Sequence, residues 1–322
     1  MMGKHVIVGA GQVGGGLAET LAERGHEVTL VTRSGSGPER PGISRVAADA
    51  ADAAVMRRLT EGADVLYNCM NPRYHRWPLD WPPVAASLLA AAESSGAVLV
   101  TLGCLYGYGP VDGPMTEDLP LAATGTKGRV RARMWEEMRA AHEAGRVRVT
   151  EVRASDYYGP RSSDQSYLGP RLLEPLFAGK TGLVLSDPDI PHSYTYLPDV
   201  VRALAAAAEE ERAWGRPWHV PTAPPFTIRE YAVRVCEAAG LPAPRLRRLP
   251  SWALKAAGLG SPFLRELGET RYQFDRPYVL DSTASQAVLG FTPTPVEDAV
   301  KETVAWWRGR TGLGRAAVVS PA

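Results

Sequence analysis

The sequence predicts an α/β fold, in which a doubly wound parallel sheet is followed by a smaller C-terminal lobe. Short apolar runs and helical patterns alternate over residues 1–160, an order typical of a parallel sheet built from β-α-β units. The runs show no alternation of polar and apolar residues, as expected when helices cover both faces of a strand. A glycine-rich turn joins the first run to the first helical pattern.

The elements of the first domain follow in order. Six strands are predicted at residues 5–8, 27–31, 44–47, 64–67, 98–102 and 147–152. Four helices fit between them, at residues 12–23, 52–60, 83–94 and 127–143. We therefore assign residues 1–160 to the domain that contains the sheet.

Residues 161–322 are predicted to form mainly a second lobe, because proline and glycine become frequent and helical segments lie farther apart. A helix predicted at 199–208 lies within a segment, about 193–220, that we expect to return to the main sheet. Thr227 and Thr294 each begin a Thr-x-x-Glu sequence, which is typical of a capping box. Residues 311–322 are expected to form a frayed tail.

The first turn has the spacing of a dinucleotide-binding loop. Gly9, Gly11 and Gly14 form a Gly-x-Gly-x-x-Gly sequence between strand and helix. The first glycine allows a tight turn, the second lets the backbone approach a pyrophosphate, and the third permits close packing of helix and strand. The N–H groups at the helix start then face the phosphates. The sequence predicts a Rossmann-type site, with Gln12 and Val13 in the same loop.

The end of the second strand indicates which dinucleotide is bound. An NAD site usually carries an acidic residue about 20 residues past the glycines, but no acid lies between Glu27 and Glu39. Thr32, Arg33 and Ser34 stand there instead. A guanidinium matches a ribose 2′-phosphate, and such a charge-assisted contact contributes about 1.5–3 kcal/mol, or roughly 10- to 150-fold in affinity. We therefore expect NADP(H) to be preferred over NAD(H).

Composition is ordinary for a soluble globular enzyme. The chain has 322 residues, of which 45% are hydrophobic and 22% charged, and its net charge is +1. A charge near zero argues against nucleic acid or a membrane surface as partner. The three cysteines, Cys69, Cys104 and Cys236, have neither disulfide-framework nor metal-ligand spacing. This spacing predicts no metal centre. No signal peptide is evident, so we expect a cytoplasmic protein.

Beyond the first loop, the chain resembles the extended branch of the short-chain dehydrogenase/reductase superfamily, of the epimerase/dehydratase type. The segments that carry the resemblance are residues 105–107, 153–160, 192–200, 281–285 and 289–293. The resemblance covers nearly the whole chain. It implies that Asp49, after the third strand, lies near the adenine, and that Ala154, after the sixth, borders the cofactor.

The resemblance breaks down at the catalytic residues. The family uses a tyrosine, a lysine four residues later, and an upstream serine or threonine; the lysine lowers the tyrosine pKa and holds the nicotinamide ribose. Lys127 stands at the start of the corresponding helix, but Ala123 occupies the tyrosine position and Leu102 the upstream position. The chain thus resembles atypical members of the branch, which lack the usual proton-handling groups.

Substitutes for the missing groups lie near the same strand ends. Thr101, Cys104 and Tyr106 follow the fifth strand, and His75 lies in the loop after the fourth. Each could take part in proton transfer alongside Lys127. The competing interpretation is structural: the tyrosine packs under the loops, and the cysteine is a small buried hydrophobic residue.

The loop after the fourth strand is rich in aromatic and basic residues. Because ligands bind at the carboxyl ends of parallel strands, Cys69 and Met70 are expected to border the cofactor. The residues predicted to contact substrate are Tyr74, His75, Arg76, Trp77, Asp156, Tyr157 and His192. Aromatic faces and cations suit an aromatic or acidic small molecule. Alternatively, the loop is a rigid lid that packs on its own core.

Two classes of function follow. The first is an NADP(H)-dependent oxidoreductase that acts on a carbonyl/alcohol pair of a small organic molecule, aromatic ones included, through an unusual proton relay. The second is a non-redox protein that binds NADP, acting as a nucleotide-sensing regulator or as a lyase, isomerase or epimerase. A homodimer is left open, because residues 83–94 and 127–143, beside the fourth and fifth strands, do not decide it.

Overall fold

The structure is a computed structural model that describes residues 2–249 and 268–311, so the expected tail beyond residue 311 lies outside it. The strands are β1 (Lys4–Val8), β2 (Glu27–Thr32), β3 (Ile43–Ala47), β4 (Val65–Asn68), β5 (Val98–Cys104), β6 (Val149–Ala154), β7 (Asp156–Tyr158), β8 (Gly182–Val184), β9 (Tyr194–Tyr196), β10 (Pro217–His219) and β11 (Leu246–Arg248). The helices are α1 (Gly14–Glu23), α2 (Ala53–Thr60), α3 (Trp77–Ser95), α4 (Thr126–Glu143), α5 (Pro170–Phe177), α6 (Leu197–Glu209), α7 (Ile228–Ala238), α8 (Tyr272–Asp275), α9 (Thr283–Leu289) and α10 (Val296–Thr311).

Seven strands form one parallel sheet in the order β10-β6-β5-β4-β1-β2-β3. The order reverses direction beside β1, which pairs with β2 on one side and β4 on the other. This is the switch point at which a doubly wound sheet opens a crevice for ligands. The predicted Rossmann-type fold class is therefore confirmed.

Two apolar layers cover the sheet. On one face α1 and α6 pack through residues such as Leu17, Leu21 and Leu204. On the other face α2, α3 and α4 contribute Met56, Leu88 and Met138, among others. Burial on both faces explains why the strands at the centre of the sheet, β1, β4, β5 and β6, show no alternation of polar and apolar residues.

Helix α3 begins at Trp77, earlier than the predicted start at residue 83. Pro82 and Pro83 lie inside the helix and donate no backbone hydrogen bond. Trp77 and Trp81, one helical turn apart, are both buried against the neighbouring core. Their burial favours the helical first turns in spite of the prolines.

The second lobe has its own core. Tyr158, Leu172, Tyr231 and Trp307 belong to a cluster that joins α5, α7 and α10. Two small parallel sheets accompany it, β11-β8 and β7-β9. The segment that follows β9 in the chain returns to the main sheet. Helix α6 packs on that sheet, and β10 pairs with β6. No helix in the described ranges is long and apolar enough to cross a membrane.

The two predicted capping boxes have different outcomes. Thr227 accepts a hydrogen bond from the Glu230 amide at 3.0 Å, and the Glu230 carboxylate accepts one from the Thr227 amide at 2.7 Å, so this box is confirmed. Thr294 is used otherwise: its hydroxyl donates to Asp199 Oδ1 at 2.9 Å and its amide to Oδ2 at 2.7 Å. Both Thr294 groups therefore bind the buried Asp199 carboxylate, a distant partner that the local sequence does not indicate.

Replacing the Thr227 cap should lower stability modestly. In Thr227→Ala the first turn of α7 loses the acceptor of its Glu230 amide, which should cost about 1 kcal/mol of unfolding free energy. Thr227→Ser keeps the hydroxyl and is the matched control. Urea denaturation followed by circular dichroism measures both. Equal stability of the alanine and serine variants would contradict the assigned cap.

Candidate cofactor and substrate site

A cavity of about 1000 Å³ opens along the carboxyl edge of the main sheet. The predicted residues that line it are Gly9, Gly11, Gln12, Val13, Thr32, Arg33, Asp49, Cys69, Met70, Tyr74, Arg76, Trp77, Cys104, Tyr106, Ala154, Asp156 and Tyr157. The predicted residues that lie outside its wall are Gly14, Ser34, His75, Thr101, Lys127 and His192. The cavity therefore joins the predicted cofactor and substrate ends in one space.

The glycine loop has the geometry expected of a pyrophosphate cradle. Gly9 has a φ of +99°, a conformation that favours glycine. A Cβ at Gly14 would lie 1.9 Å from the Gly9 carbonyl oxygen, so helix and turn meet with no room for a side chain. A Cβ at Gly11 would meet no protein atom within 4 Å, although Gly11 lines the cavity. Helix α1 begins at Gly14 without an acidic residue in its first turn, which leaves its N-terminal dipole open to an anion.

At the β2 end of the cavity, Arg33 is exposed and no ion pair joins it to another described residue. The Asp49 carboxylate accepts a hydrogen bond from the Ala51 amide at 3.0 Å, which holds it at the end of β3. Ser34 turns away, and its hydroxyl donates to the Ser36 hydroxyl at 2.9 Å. The cation available to a ligand at this end is thus the Arg33 guanidinium.

Two tyrosines meet at the other end of the cavity. The hydroxyls of Tyr74 and Tyr106 share a hydrogen bond, and the Trp77 ring stacks on Tyr106 with centroids 5.9 Å apart. Burial raises the pKa of both phenols. Burial also raises the pKa of the Cys104 thiol beside them. All three groups therefore hold their protons at neutral pH.

The structure places Lys127 and Thr101 away from the cavity wall. Lys127 is 1% exposed, and its Nζ lies 3.2 Å from Glu269 Oε2 and 5.5 Å from the centroid of the Tyr74 ring. The Thr101 hydroxyl donates to Met138 Sδ at 3.5 Å. Neither residue is part of the cavity wall, and the Lys127 ammonium lies behind the Tyr74 ring, which does line it.

Arg131 of α4 lines the cavity instead, and sequence reasoning missed it. Arg129, Arg131 and Arg133 alternate along the start of this helix, and residues two apart in a helix point to nearly opposite sides. Arg129 and Arg133 are exposed, whereas Arg131 is buried. The helical spacing of four residues from Lys127 was the signal that could have found it.

The Arg131 guanidinium sits between two indole rings. Its centre lies 4.8 Å from the Trp77 ring centroid and 4.4 Å from that of Trp81, and Nη1 donates to the Leu102 carbonyl at 3.2 Å. Its Nε is buried without a hydrogen-bond partner. A cation is thus held by aromatic faces at the wall of the cavity.

The loop after β4 is a lid that packs largely on itself. Trp77 and Trp81 are buried, and Trp77 Nε1 donates to the Pro72 carbonyl at 3.0 Å. Arg76 pairs with Asp80 at 2.7 Å, and His75 is exposed outside the cavity. This arrangement matches the alternative of a rigid lid with its own core.

Asp156 and His192 form a pair at the substrate end. Asp156 lines the cavity with its side chain 20% exposed, and His192 lies behind it with its side chain 2% exposed. Their Oδ2 and Nε2 atoms are 2.9 Å apart. Tyr157 also lines the cavity, and burial raises its pKa.

Further wall residues come from distant segments. Gln273 and Tyr278 line the cavity from the far end of the chain, and both Gln273 Nε2 and the Tyr278 hydroxyl are buried without a partner. Ser163 donates its amide to Gln12 Oε1 at 2.8 Å and joins the second lobe to the glycine loop. No local sequence signal pointed to these residues, because only the packing of the second lobe brings them to the sheet edge.

A parallel sheet with a glycine-rich loop at its switch point, and a long cavity across that edge, defines a Rossmann-type dinucleotide-binding fold. The chain belongs to the NAD dependent epimerase/dehydratase family, whose sequence model matches residues 5–220. The resemblance predicted from the sequence is thereby confirmed.

Two curated relatives show how far sequence similarity extends. The chain is 29% identical over 224 residues to a dTDP-glucose 4,6-dehydratase of Streptomyces griseus, which covers 69% of this chain and 62% of that relative. It is 26% identical over 227 residues to a UDP-N-acetyl-alpha-D-glucosaminuronate decarboxylase of Bacillus cytotoxicus, which covers 63% of this chain and 70% of that relative. The match thus spans less than two thirds of the dehydratase.

Solved structures share the fold over nearly the whole chain. A UDP-glucose 4-epimerase of Thermotoga maritima with UDP-glucose has a TM-score of 0.77 at 19% identity, covering 95% of this chain and 99% of that one. A UDP-glucuronic acid 4-epimerase of Bacillus cereus in complex with NAD has a TM-score of 0.76 at 16% identity, covering 98% and 99%. At these identities the likeness shows the fold.

Proposed function

We propose that this protein is an enzyme that uses a nicotinamide dinucleotide to interconvert an alcohol and a carbonyl group in a small hydroxylated substrate. The observation that carries the proposal is one continuous cavity. It joins the glycine loop and Arg33 at one end to Tyr106, Asp156 and Tyr157 at the other. Family membership supports dinucleotide binding at this loop.

The residues present fit such a cofactor. The open space over Gly11 and the start of α1 would accept a pyrophosphate. Arg33 and Thr32 would hold the substituted ribose, and Asp49 would lie near the adenine. Bound there, the cofactor supplies hydride transfer. The protein supplies binding, orientation and the proton.

The substrate we favour is polar rather than aromatic. The indole faces of Trp77 and Trp81 are occupied by the Arg131 guanidinium, so they do not offer an open stacking surface. Arg131 and Asp156 both bring hydrogen-bonding groups to the cavity wall, which suits the hydroxyl and carbonyl groups of a substrate. The two curated relatives are named for nucleotide sugars, so nucleotide sugars are the first class to test.

Removing the Arg33 side chain should abolish discrimination between the two dinucleotides. The unmodified protein is expected to bind NADPH roughly 10- to 150-fold more tightly than NADH, because one guanidinium–phosphate contact contributes about 1.5–3 kcal/mol. In Arg33→Ala the two affinities should become similar through weaker NADPH binding. Titration of cofactor fluorescence measures both.

Arg58→Ala is the matched control, since Arg58 is an exposed arginine on α2 outside the cavity wall. Its variant should keep the preference. Equal binding of the two cofactors by the unmodified protein would refute the assignment of NADP(H).

Transfer of label tests the redox step. Reduced cofactor carrying deuterium at C4 is incubated with a panel of keto-sugars, nucleotide sugars and aromatic ketones. Deuterium on the product carbon is the expected result. An epimerase would regenerate its cofactor, so carbinol-deuterated sugars are screened in parallel for label returned to the opposite face of the same carbon.

A second candidate, a non-redox protein with a bound nucleotide, is favoured by the location of Lys127. This lysine pairs with Glu269 outside the cavity wall. The lysine that the resemblance expects beside the nicotinamide ribose is therefore not part of that wall. Firm cofactor binding with no label transfer in either screen would select this candidate and overturn the first.

A further inference from the structure

The hydrogen bonds of His192 demand a proton that a neutral imidazole does not have. His192 Nδ1 lies 3.2 Å from the backbone carbonyl oxygen of Gln273, which can only accept. His192 Nε2 lies 2.9 Å from Asp156 Oδ2, and an ionised carboxylate also only accepts. A neutral imidazole carries one N–H, so it can satisfy one of these two acceptors.

The second proton must therefore lie between the two side chains. The pair is either an imidazolium with a carboxylate or a neutral imidazole with a carboxylic acid, and in both forms it carries no net charge. The Ser155 hydroxyl is the remaining polar neighbour, at 3.5 Å from Nε2, and it can turn to donate or accept.

The surroundings hold this pair in place. The Phe274 ring stacks on His192 with centroids 4.8 Å apart and an interplanar angle of 3°. The ionisable side chains packed on the imidazole are Tyr194 and Tyr278. Further tyrosines complete the surroundings: Tyr74, Tyr106 and Tyr157 line the cavity, Tyr167 packs on the Phe274 ring and Tyr272 on the Tyr278 ring. The charged partner that the described residues give to His192 is Asp156.

We propose that Asp156 is the proton donor and acceptor of this active site, with His192 as the positioning residue that stores its proton. This inference rests on the proposed function. Asp156 is the member of the pair that faces the cavity, while His192 is sealed behind it. A group of this kind compensates for the absence of a tyrosine at residue 123 and of a serine at residue 102.

The step balances in both directions. A reduced nicotinamide bound in the cavity would supply a hydride to the carbonyl carbon of the substrate, and the electron pair of the C=O π bond would move to oxygen. That oxygen takes the shared proton through Asp156, forming O–H. The pair is left as a carboxylate with a neutral imidazole protonated at Nδ1, and solvent returns the proton. Oxidation of an alcohol runs the same steps in reverse.

The test compares Asp156→Asn with the unmodified protein. Asparagine keeps the size of the side chain and can donate to His192 Nε2, so the hydrogen bond survives while the transferable proton is lost. We expect turnover to fall about 10²- to 10⁴-fold, the contribution of a positioned acid or base, with cofactor affinity within twofold. Asp164→Asn, at an exposed carboxylate outside the cavity wall, should be active.

Nuclear magnetic resonance of the protein without cofactor or substrate gives the independent readout. At neutral pH, the unmodified protein should show either a proton on both nitrogens of His192 or a protonated Asp156 carboxyl. Asp156→Asn should show His192 neutral, with its proton on Nδ1. An ionised Asp156 beside a neutral His192 in the unmodified protein would overturn the inference, as would full turnover by Asp156→Asn.

The two proposals fail differently. Absence of any hydride transfer refutes the oxidoreductase but leaves the resonance result to decide whether the proton is shared. A shared proton together with full turnover of Asp156→Asn refutes the role of Asp156 and leaves the oxidoreductase standing.

Discussion

Gly14→Ala should weaken dinucleotide binding by roughly 5- to 150-fold. The new Cβ would lie 1.9 Å from the Gly9 carbonyl oxygen, so the glycine loop and the start of α1 must move apart. Overpacking of this kind costs roughly 1–3 kcal/mol or more, and here the strain falls on the backbone that contacts the pyrophosphate. Calorimetric titration with NADPH measures the loss.

Two neighbouring glycines supply controls for this result. A Cβ at Gly15 would lie 3.5 Å from the Ala10 carbonyl oxygen, an ordinary van der Waals contact. Gly15→Ala should therefore keep binding and add about 0.5–1 kcal/mol of stability through helix propensity. Gly11→Ala should fold normally, because its Cβ meets no protein atom within 4 Å, yet bind weakly because it fills the cradle. Wild-type affinity in Gly14→Ala would show that the loop does not hold the pyrophosphate.

Trp81→Ala should lower the unfolding free energy by about 3–5 kcal/mol, the usual cost of removing a buried indole. Trp81 is 0% exposed, and its ring lies 6.2 Å from that of Trp77 and 4.4 Å from the Arg131 guanidinium. The change removes core volume and one of the two aromatic faces that hold the cation. Urea denaturation at neutral pH measures the effect.

Trp81→Phe is the matched variant, since it keeps an aromatic face over Arg131 and leaves a smaller cavity. It should recover most of the lost stability. A cost below 1 kcal/mol for Trp81→Ala would mean that the lid does not depend on its internal core, and the lid's aromatic rings would again be candidates for substrate stacking.

The strands and the cofactor loop were predictable because their causes are local. An apolar run of five residues buried on both faces has few alternatives to a central strand. The Gly9 and Gly14 positions are set by backbone conformation and close approach, which glycine alone satisfies at those points. Family membership followed from several such segments in the right order.

Side-chain direction was not predictable to the same degree. One turn of α4 separates Lys127, which is turned toward Glu269, from Arg131, which reaches the cavity. The sequence pattern places both on the same helix, but the rotation of that helix is decided by what packs against it. Trp77 and Trp81 on α3 supply that packing, and they turn Arg131 inward.

The sequence by itself determined the parallel α/β fold, the glycine loop and the basic residue that follows β2, because each depends on a short stretch of chain. Only the tertiary structure decided which groups share the cavity. Asp156 and His192 lie 36 residues apart in the chain and meet because β7 pairs with β9. Gln273 is still farther along the chain, and its backbone carbonyl accepts the hydrogen bond of His192 Nδ1. This contact is the reason why the Asp156–His192 pair needs a second proton. Long-range packing brings these atoms within hydrogen-bond distance, and no local pattern encodes that distance.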